Sequence, residues 1–168
     1  SPDGERWTQA RRVNDNPTGD GTSQYLPAVD VTADGRIDVL FYDRRRDPDD
    51  VMTDTFLATA AAGDTTFTNV RVSTATSDSR IGPQAAPHLP VDAGSRLGVV
   101  GGERSTYGVW TDTRLGSEAT GRQDVVASRV DLPQPALGRM VMVAGGLVAA
   151  LLALAARWWA SRRSPGRG

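Results

Sequence analysis

The pattern Phe41-x-Asp43-x-Arg45 comes back as Trp110-x-Asp112-x-Arg114, sixty-nine positions further along the chain. The same offset lays Phe56-Leu57-Ala58-Thr59 over Val125-Val126-Ala127-Ser128, and Val31 over Val100. A match held across successive segments predicts one structural unit present twice with equal internal spacing. The segments are short and β-like. Ile37, Val39 and Phe41 alternate with Asp38, Leu40 and Tyr42, a period of two. Tyr25 to Thr32 precedes them across Asp34-Gly35, a hairpin dipeptide, and Val51 to Thr59 and Phe67 to Ser73 follow as two more strands. Before residue 132 the spacing predicts no amphipathic helix of useful length. Repeated short antiparallel strands point to propeller blades or solenoid turns, and hairpins with long charged loops favour the propeller.

Composition closes off several chemistries. The 168 residues include no Cys, which excludes thiolate catalysis, Cys-ligated zinc and disulfides. His88 is the single histidine, so a multi-His metal site or a His-based triad has little to build on. Nineteen basic against 20 acidic residues leave a net charge of −1, and no nucleic-acid partner is expected.

The longest apolar run lies near the C-terminus. Residues 140–156 read MVMVAGGLVAALLALAA, seventeen positions without a charge, roughly 25 Å of helix. Extended over 139–160, with Arg157 snorkelling, the segment matches a bilayer core of roughly 30 Å. Trp158 and Trp159 stand where an interfacial aromatic belt belongs, and Arg162, Arg163 and Arg167 follow. The expectation is a linker over 132–138, one membrane-spanning helix over 139–160 and a cytoplasmic arginine-rich tail over 161–168. The lipid bilayer is then a partner through residues 140–156, and residues 1–131 face outward.

The opening residues carry a second pattern. Ser1-Pro2-Asp3-Gly4-Glu5-Arg6-Trp7 resembles the Asp-box of sialidase-type (BNR-repeat) propellers, Ser-x-Asp-x-Gly-x-Thr-Trp, shortened by one residue. Sixty residues on, the stretch 60–67 falls where the next box belongs; it keeps Thr66 and the aromatic Phe67 but has Ala60 and Ala62 for the Ser and Asp. The aromatic-x-Asp-x-Arg strand end is similar to the segment that precedes such boxes. The resemblance implies an all-β fold over residues 1–131, about two four-stranded blades of a larger propeller, ahead of the C-terminal transmembrane helix. It also implies that the box Asp serves turn amides while the box aromatic packs between sheets. The second box, without those acceptors, is expected to form a looser turn.

Sialidases are said to hold a substrate carboxylate with three arginines, to use an Asp as acid/base, and to attack through a Tyr–Glu pair; a guanidinium fork suits a carboxylate, and a Tyr needs a neighbouring carboxylate to act. The resemblance makes Arg44, Arg45, Arg46, Arg104 and Arg114 candidates, with Tyr42, Tyr107 and Glu103. The family's Phe/Tyr-Arg-Ile-Pro segment is absent, and Arg80-Ile81-Gly82-Pro83 is too remote to replace it. Phe41, Asp43, Arg45, Trp110, Asp112 and Arg114 repeat, and a repeated residue cannot fill a unique catalytic place, so these read as ion pairs tying strand ends to loops. Glu103, Arg104 and Tyr107 do not repeat and are the better catalytic candidates, although a solvated hairpin tip accounts for them as well. No cofactor is expected. The acidic loop Asp47-Pro48-Asp49-Asp50 offers oxygen ligands to Ca²⁺ but lacks a calcium-loop spacing, so a turn begun by Asp-Pro is the simpler state.

Three functions stay open at this point. The first is the C-terminal part of a membrane-anchored, extracellular sialidase-like hydrolase acting on terminal sugars, inactive as this portion alone. The second is a non-catalytic cell-surface propeller that binds glycans or proteins. The third is a structural spacer. Fold resemblance does not choose among them.

Overall fold

The computed structural model describes residues 3–82 and 97–132, all within one compact unit, Ser1–Leu132. Ser1 of the first box, His88, and the linker, anchor and tail expected after residue 132 lie outside the described residues. The described chain is all-β, and among the described residues no helix is long and apolar enough to cross a membrane.

Two antiparallel sheets form it, and neither closes on itself. In the first, β1 (Gln24–Val31), β2 (Ile37–Asp43), β3 (Met52–Ala60) and β4 (Thr68–Arg71) run in chain order, and the two-residue β5 (Ser77–Asp78) pairs with the start of β3. The second places β6 (Gly98–Gly101), β7 (Ser105–Asp112) and β8 (Asp124–Asp131) side by side. Local chemistry explains the turns. Gly35 takes φ +82° in the Asp34-Gly35 connection, a value costly to any residue with a Cβ, while the Gly35 amide donates to Thr32 O at 2.9 Å. The second box forms the β3–β4 turn. It lacks the side-chain acceptors of the first, and the main chain closes it instead, Asp64 N donating to Ala61 O at 3.0 Å.

The two sheets are copies, but the uniform offset of sixty-nine is not kept. It holds for β2 and β7, where Phe41 pairs with Phe56 and Trp110 pairs with Val126. The counterpart of Phe56 is therefore Val126 rather than Val125, an offset of 70. Val31 pairs with Ile37 as Gly101 pairs with Thr106, so Val31 corresponds to Gly101 rather than Val100. The β6–β7 turn is one residue shorter than the β1–β2 turn, and the β7–β8 loop is one longer than the β2–β3 loop. Surface loops absorb such changes cheaply, whereas a one-residue slip inside a strand turns every side chain to the other face.

With the register corrected, the stacking becomes directional. One face of the first sheet, here face A, carries Val39, Phe41, Phe56 and Ala58, covered by Val13 and Phe67. The opposite face B carries Leu40, Tyr42 and Leu57, which pack on Trp110, Val99, Val126 and Val130 of the second sheet. Trp110 and Val126 are the counterparts of Phe41 and Phe56, so the second sheet receives face B of the first on its own face A. Leu40 and Leu57, each 1% exposed, are gripped between strands and sheets, with burial of each worth roughly 1.5–3 kcal/mol. Gly108 makes room: a Cβ there would sit 3.0 Å from Leu40 Cδ1.

The first box closes a local turn around Asp3. Asp3 Oδ1 accepts from the amides of Glu5 and Arg6 at 3.0 and 3.1 Å, with Gly4 at φ +75°. Its aromatic does not follow. Trp7 is 80% exposed instead of packed between sheets, because residues 7–13 belong to no strand and have no second sheet over them among the described residues.

Candidate functional site

The repeated Asp–Arg pairs are the most regular polar feature. Arg114 donates through its amide and Nε to Asp112 Oδ1, both at 2.9 Å, and through Nη2 to Oδ2 at 2.6 Å. Asp43 receives the Arg45 amide on Oδ1 at 2.7 Å and Nε on Oδ2 at 2.8 Å. Each pair pins the turn leaving its strand. Burial works to raise the Asp112 carboxyl, but the side-chain and backbone bonds from Arg114 outweigh it and leave it below its ordinary value. A third pair of identical form joins Asp78 to Arg80, amide to Oδ1 at 2.9 Å and Nη2 to Oδ2 at 2.7 Å. It was missed above although Asp78-Ser79-Arg80 spells the same Asp-x-Arg.

Arg44, Arg45 and Arg46 form no open clamp. The Arg44 guanidinium lies 4.7 Å over the Tyr25 ring and donates to Asp50 O at 2.8 Å, Ser79 Oγ at 3.0 Å and Thr53 Oγ1 at 3.3 Å. Arg45 is committed to Asp43 and Asp15 and stacks 4.3 Å from the Phe56 ring centre. Arg46 is half-exposed and meets Asp54 at 3.7 Å.

Tyr42, the candidate nucleophile on β2, is a joint. Its hydroxyl donates to Thr111 O at 2.9 Å and accepts from Thr111 N at 3.0 Å, bridging the two sheets. Burial, partly countered by those bonds, pushes its pKa up to about 12. A folded-state value above the ordinary 10 means stability that is full below pH 10 and lost as pH climbs toward 12. We expect wild-type protein to lose roughly 2–3 kcal/mol over that window, by linkage. Thermal melts from neutral to alkaline pH, read beside tyrosinate absorbance, check this; Tyr42→Phe is less stable at neutral pH but has a flatter alkaline limb.

A second joint lies at the opposite end of the sheets and was not anticipated from the sequence. Asp38 is fully buried and takes Arg36 Nε and Nη2 at 3.0 and 2.9 Å, together with Thr106 Oγ1 at 2.6 Å. Arg36 Nη2 also donates to Gly102 O at 2.8 Å. Burial acts to raise the Asp38 carboxyl, and the bonds from Arg36, Thr106 and Thr59 overcome it, so the acid stays below its usual range. Asp30 Oδ2 adds a bond from Gly101 N at 2.7 Å. These contacts cross between sheets over some seventy residues of chain, beyond the reach of motif reading.

Glu103, Arg104 and Tyr107 lie in one hairpin, β6–β7, as the sequence placed them. Glu103 and Arg104 are exposed in the turn, and Tyr107, 49% exposed, stands on the open face of the second sheet across from Val100 and Arg129. The turn is at the start of β7 while Asp112 and Arg114 close its end, and eight residues of strand span roughly 26 Å. Glu103 and Arg104 thus cannot share a substrate with the arginines of the β2–β3 and β7–β8 loops. In the acidic loop, Asp47 Oδ2 accepts from Val51 and Met52 amides at 2.8 and 2.6 Å, which hold its carboxyl below the ordinary range, and Asp50 serves Ser23 N at 2.7 Å. Among the described residues no group of three acidic or His side chains is placed to hold a metal ion.

Among the described residues the geometry brings together a pair of inter-sheet joints, one at Tyr42–Thr111 and one at Arg36–Asp38–Thr106. Neither a family model, nor a curated protein, nor a solved structure matches the chain. The polar residues that the resemblance brought forward are distributed between the ends of the sheets: Tyr42, Arg44, Arg45 and Arg114 are bonded to other groups of the fold, and Glu103, Arg104 and Tyr107 are exposed in the β6–β7 hairpin.

Proposed function

We infer that this chain supplies a rigid, non-catalytic part of a sialidase-like β-propeller held at the outer face of a membrane, where it contributes a surface for glycans or proteins instead of chemistry. The first sheet then is one four-stranded blade and the second sheet three strands of the next. One observation carries this reading above the hydrolase: Arg45 and Arg114, which repeat, are each held by their own aspartate, and the Tyr42 hydroxyl is held by Thr111. Directional stacking of face B on face A supports the propeller, since a closed ring needs successive sheets in one sense. The apolar stretch over 139–160 supports the membrane location.

A single preparation tests both parts. Membranes carrying the full chain are divided: a portion washed in alkaline carbonate is expected to keep the protein in the pellet, and an unwashed portion assayed with a fluorogenic sialoside near neutral pH is expected to release no fluorophore. Release of the protein by carbonate refutes the anchor. Turnover that falls with Arg46→Ala restores the hydrolase.

A further inference from the structure

Apolar area alone does not decide how these two sheets stack. The second sheet is apolar on both sides, with Val99, Trp110, Val126 and Val130 on face A and Val100, Tyr107, Val109 and Val125 on face B. The first carries Val39, Phe41, Phe56 and Ala58 on one face and Leu40, Tyr42 and Leu57 on the other. Burial of such surface is non-directional, so a second sheet turned over, or slid along the first, gains nearly as much as the observed match. Another kind of contact has to identify the partner face.

Side-chain polar atoms meet across the two sheets at one buried cluster. Asp38 lies on face B of β2, in line with Leu40 and Tyr42, and Thr106 lies on face A of β7, in line with Gly108 and Trp110. The Thr106 hydroxyl donates to Asp38 Oδ2 at 2.6 Å, and Arg36 joins Asp38 to Gly102 O, which accepts from its Nη2 at 2.8 Å. Arg36, Asp38 and Thr106 are all buried by the chain's own two sheets. β6 comes this close because Gly101 has no side chain: a Cβ there would lie 2.7 Å from Asp38 Oδ2 and 3.1 Å from Arg36 Nη2. On face B of the second sheet Val100 stands next to that position, and its side chain would fill the space that Gly101 leaves open. The other joint is of a different kind. Tyr42 bonds the main-chain N and O of Thr111, atoms that every residue but proline offers, so it fastens the sheets without identifying them.

We propose that Arg36, Asp38 and Thr106 form a registry key: the cluster selects face A of the second sheet and fixes its place along the first, while adding little to the net stability of the fold. Taking Asp38 and Arg36 out of water offsets most of what their attraction returns, so a buried pair of this kind is a weak source of net stability although removing one partner alone is costly. Its effect falls on the alternatives. A second sheet stacked in any other way buries Asp38 and Arg36 without the Thr106 hydroxyl and without Gly102 O, and specificity is set by that penalty. Gly108, on which Leu40 seats, adds a fit of shape. A leucine can turn to another rotamer, whereas a buried carboxylate without donors has no such escape.

The test replaces the whole key by apolar groups of similar size, Arg36→Met, Asp38→Leu and Thr106→Val together, in the full chain purified in mild detergent. The triple variant is expected to unfold at a urea midpoint no lower than that of the wild type, whereas Asp38→Ala alone unfolds at a clearly lower one. Methyl NMR then reads the stacking. In the wild type the Leu40 methyls are expected to give one set of signals, with through-space contacts to Gly108 and Trp110. In the triple variant they are expected to split into more than one set, part of it in contact with Tyr107 of face B. A triple variant that keeps one set touching Trp110 alone overturns the proposal, because apolar packing then chooses the face unaided. A midpoint below the wild type's overturns it too, because the cluster is then a source of net stability. Should the triple variant fail to fold by circular dichroism, Arg36→Met with Asp38→Leu over the native Thr106 takes its place. The same two readings decide, and a double variant that does not fold also overturns the key.

Discussion

Asp38→Ala is expected to destabilise the protein by about 3–5 kcal/mol, the range for removing one partner of a buried ion pair. Asp38 has no exposed surface, and its partner Arg36 retains 11% side-chain exposure. Removing the carboxylate leaves the guanidinium buried with Gly102 O at 2.8 Å and a long contact to Thr106 Oγ1 at 3.4 Å, and it strips Thr106 Oγ1 of its acceptor. Against a total stability of about 5–15 kcal/mol, that is a large part of what holds the fold. The control is Asp131→Ala. Asp131 also pairs with an arginine, Arg129 at 2.5 Å, but both side chains are more than half exposed and the expected loss is about 0–1 kcal/mol. Urea unfolding of the three proteins measures the difference. A loss below about 1 kcal/mol for Asp38→Ala would show that Arg36 finds water or another acceptor and that this joint does not hold the sheets.

The same residue sets an acid limit. The folded-state pKa of Asp38 lies below its unfolded value, so its contribution is full above the ordinary carboxylate range near pH 4 and disappears as pH falls through the lowered value. Asp112 acts in the same direction. Stability of the wild-type protein is expected to fall steeply in acid, and the Asp38→Asn protein, which keeps shape but cannot titrate, should lose part of that slope. Melts in a pH series separate charge from shape in this way.

How much of this was readable in advance depends on the distance over which each feature acts. The Asp43–Arg45 and Asp112–Arg114 pairs are two residues apart, so their chemistry is written locally, and Asp78–Arg80 was written there too. The strands of the first sheet follow from alternation around Val39 and Phe41 and from the Asp34-Gly35 turn. The alignment of the copies was misread by one residue on either side of β7, because Val125-Val126 and Val99-Val100 present a valine to each face and offer composition no way to choose. Hydrogen-bond register decides, and that is a property of two strands together. Trp7 went wrong for a related reason. An aromatic after a box turn is buried only if a sheet lies over it, which no local motif records. Arg36, Asp38, Thr106 and Tyr42 meet partners in the other sheet, so their role exists only once the sheets are stacked.

Stacking is put to its sharpest test by Trp110→Ala, expected to cost about 3–5 kcal/mol as a large-to-small change in a packed core. Trp110 is 3% exposed among Leu40, Tyr42, Leu57 and Val72, and it sits next to the Thr111 backbone that Tyr42 bridges. After Arg114, its indole also helps to hold the Asp112 carboxyl below its ordinary value, so truncation reaches the Asp112–Arg114 turn as well as the core. Trp110→Phe separates the effects by keeping the ring and losing the donor, with a smaller cost expected. The first sheet has its own cluster on face A, around Phe41 and Phe56, that this change does not touch. Amide exchange should therefore accelerate first in β6, β7 and β8 and only later in β2 and β3. Trp7→Ala, which removes an exposed indole, is expected to shift stability by no more than about 0.5 kcal/mol. If Trp110→Ala cost as little, or if all seven longer strands lost protection together, the two sheets would not be separate units joined along face B.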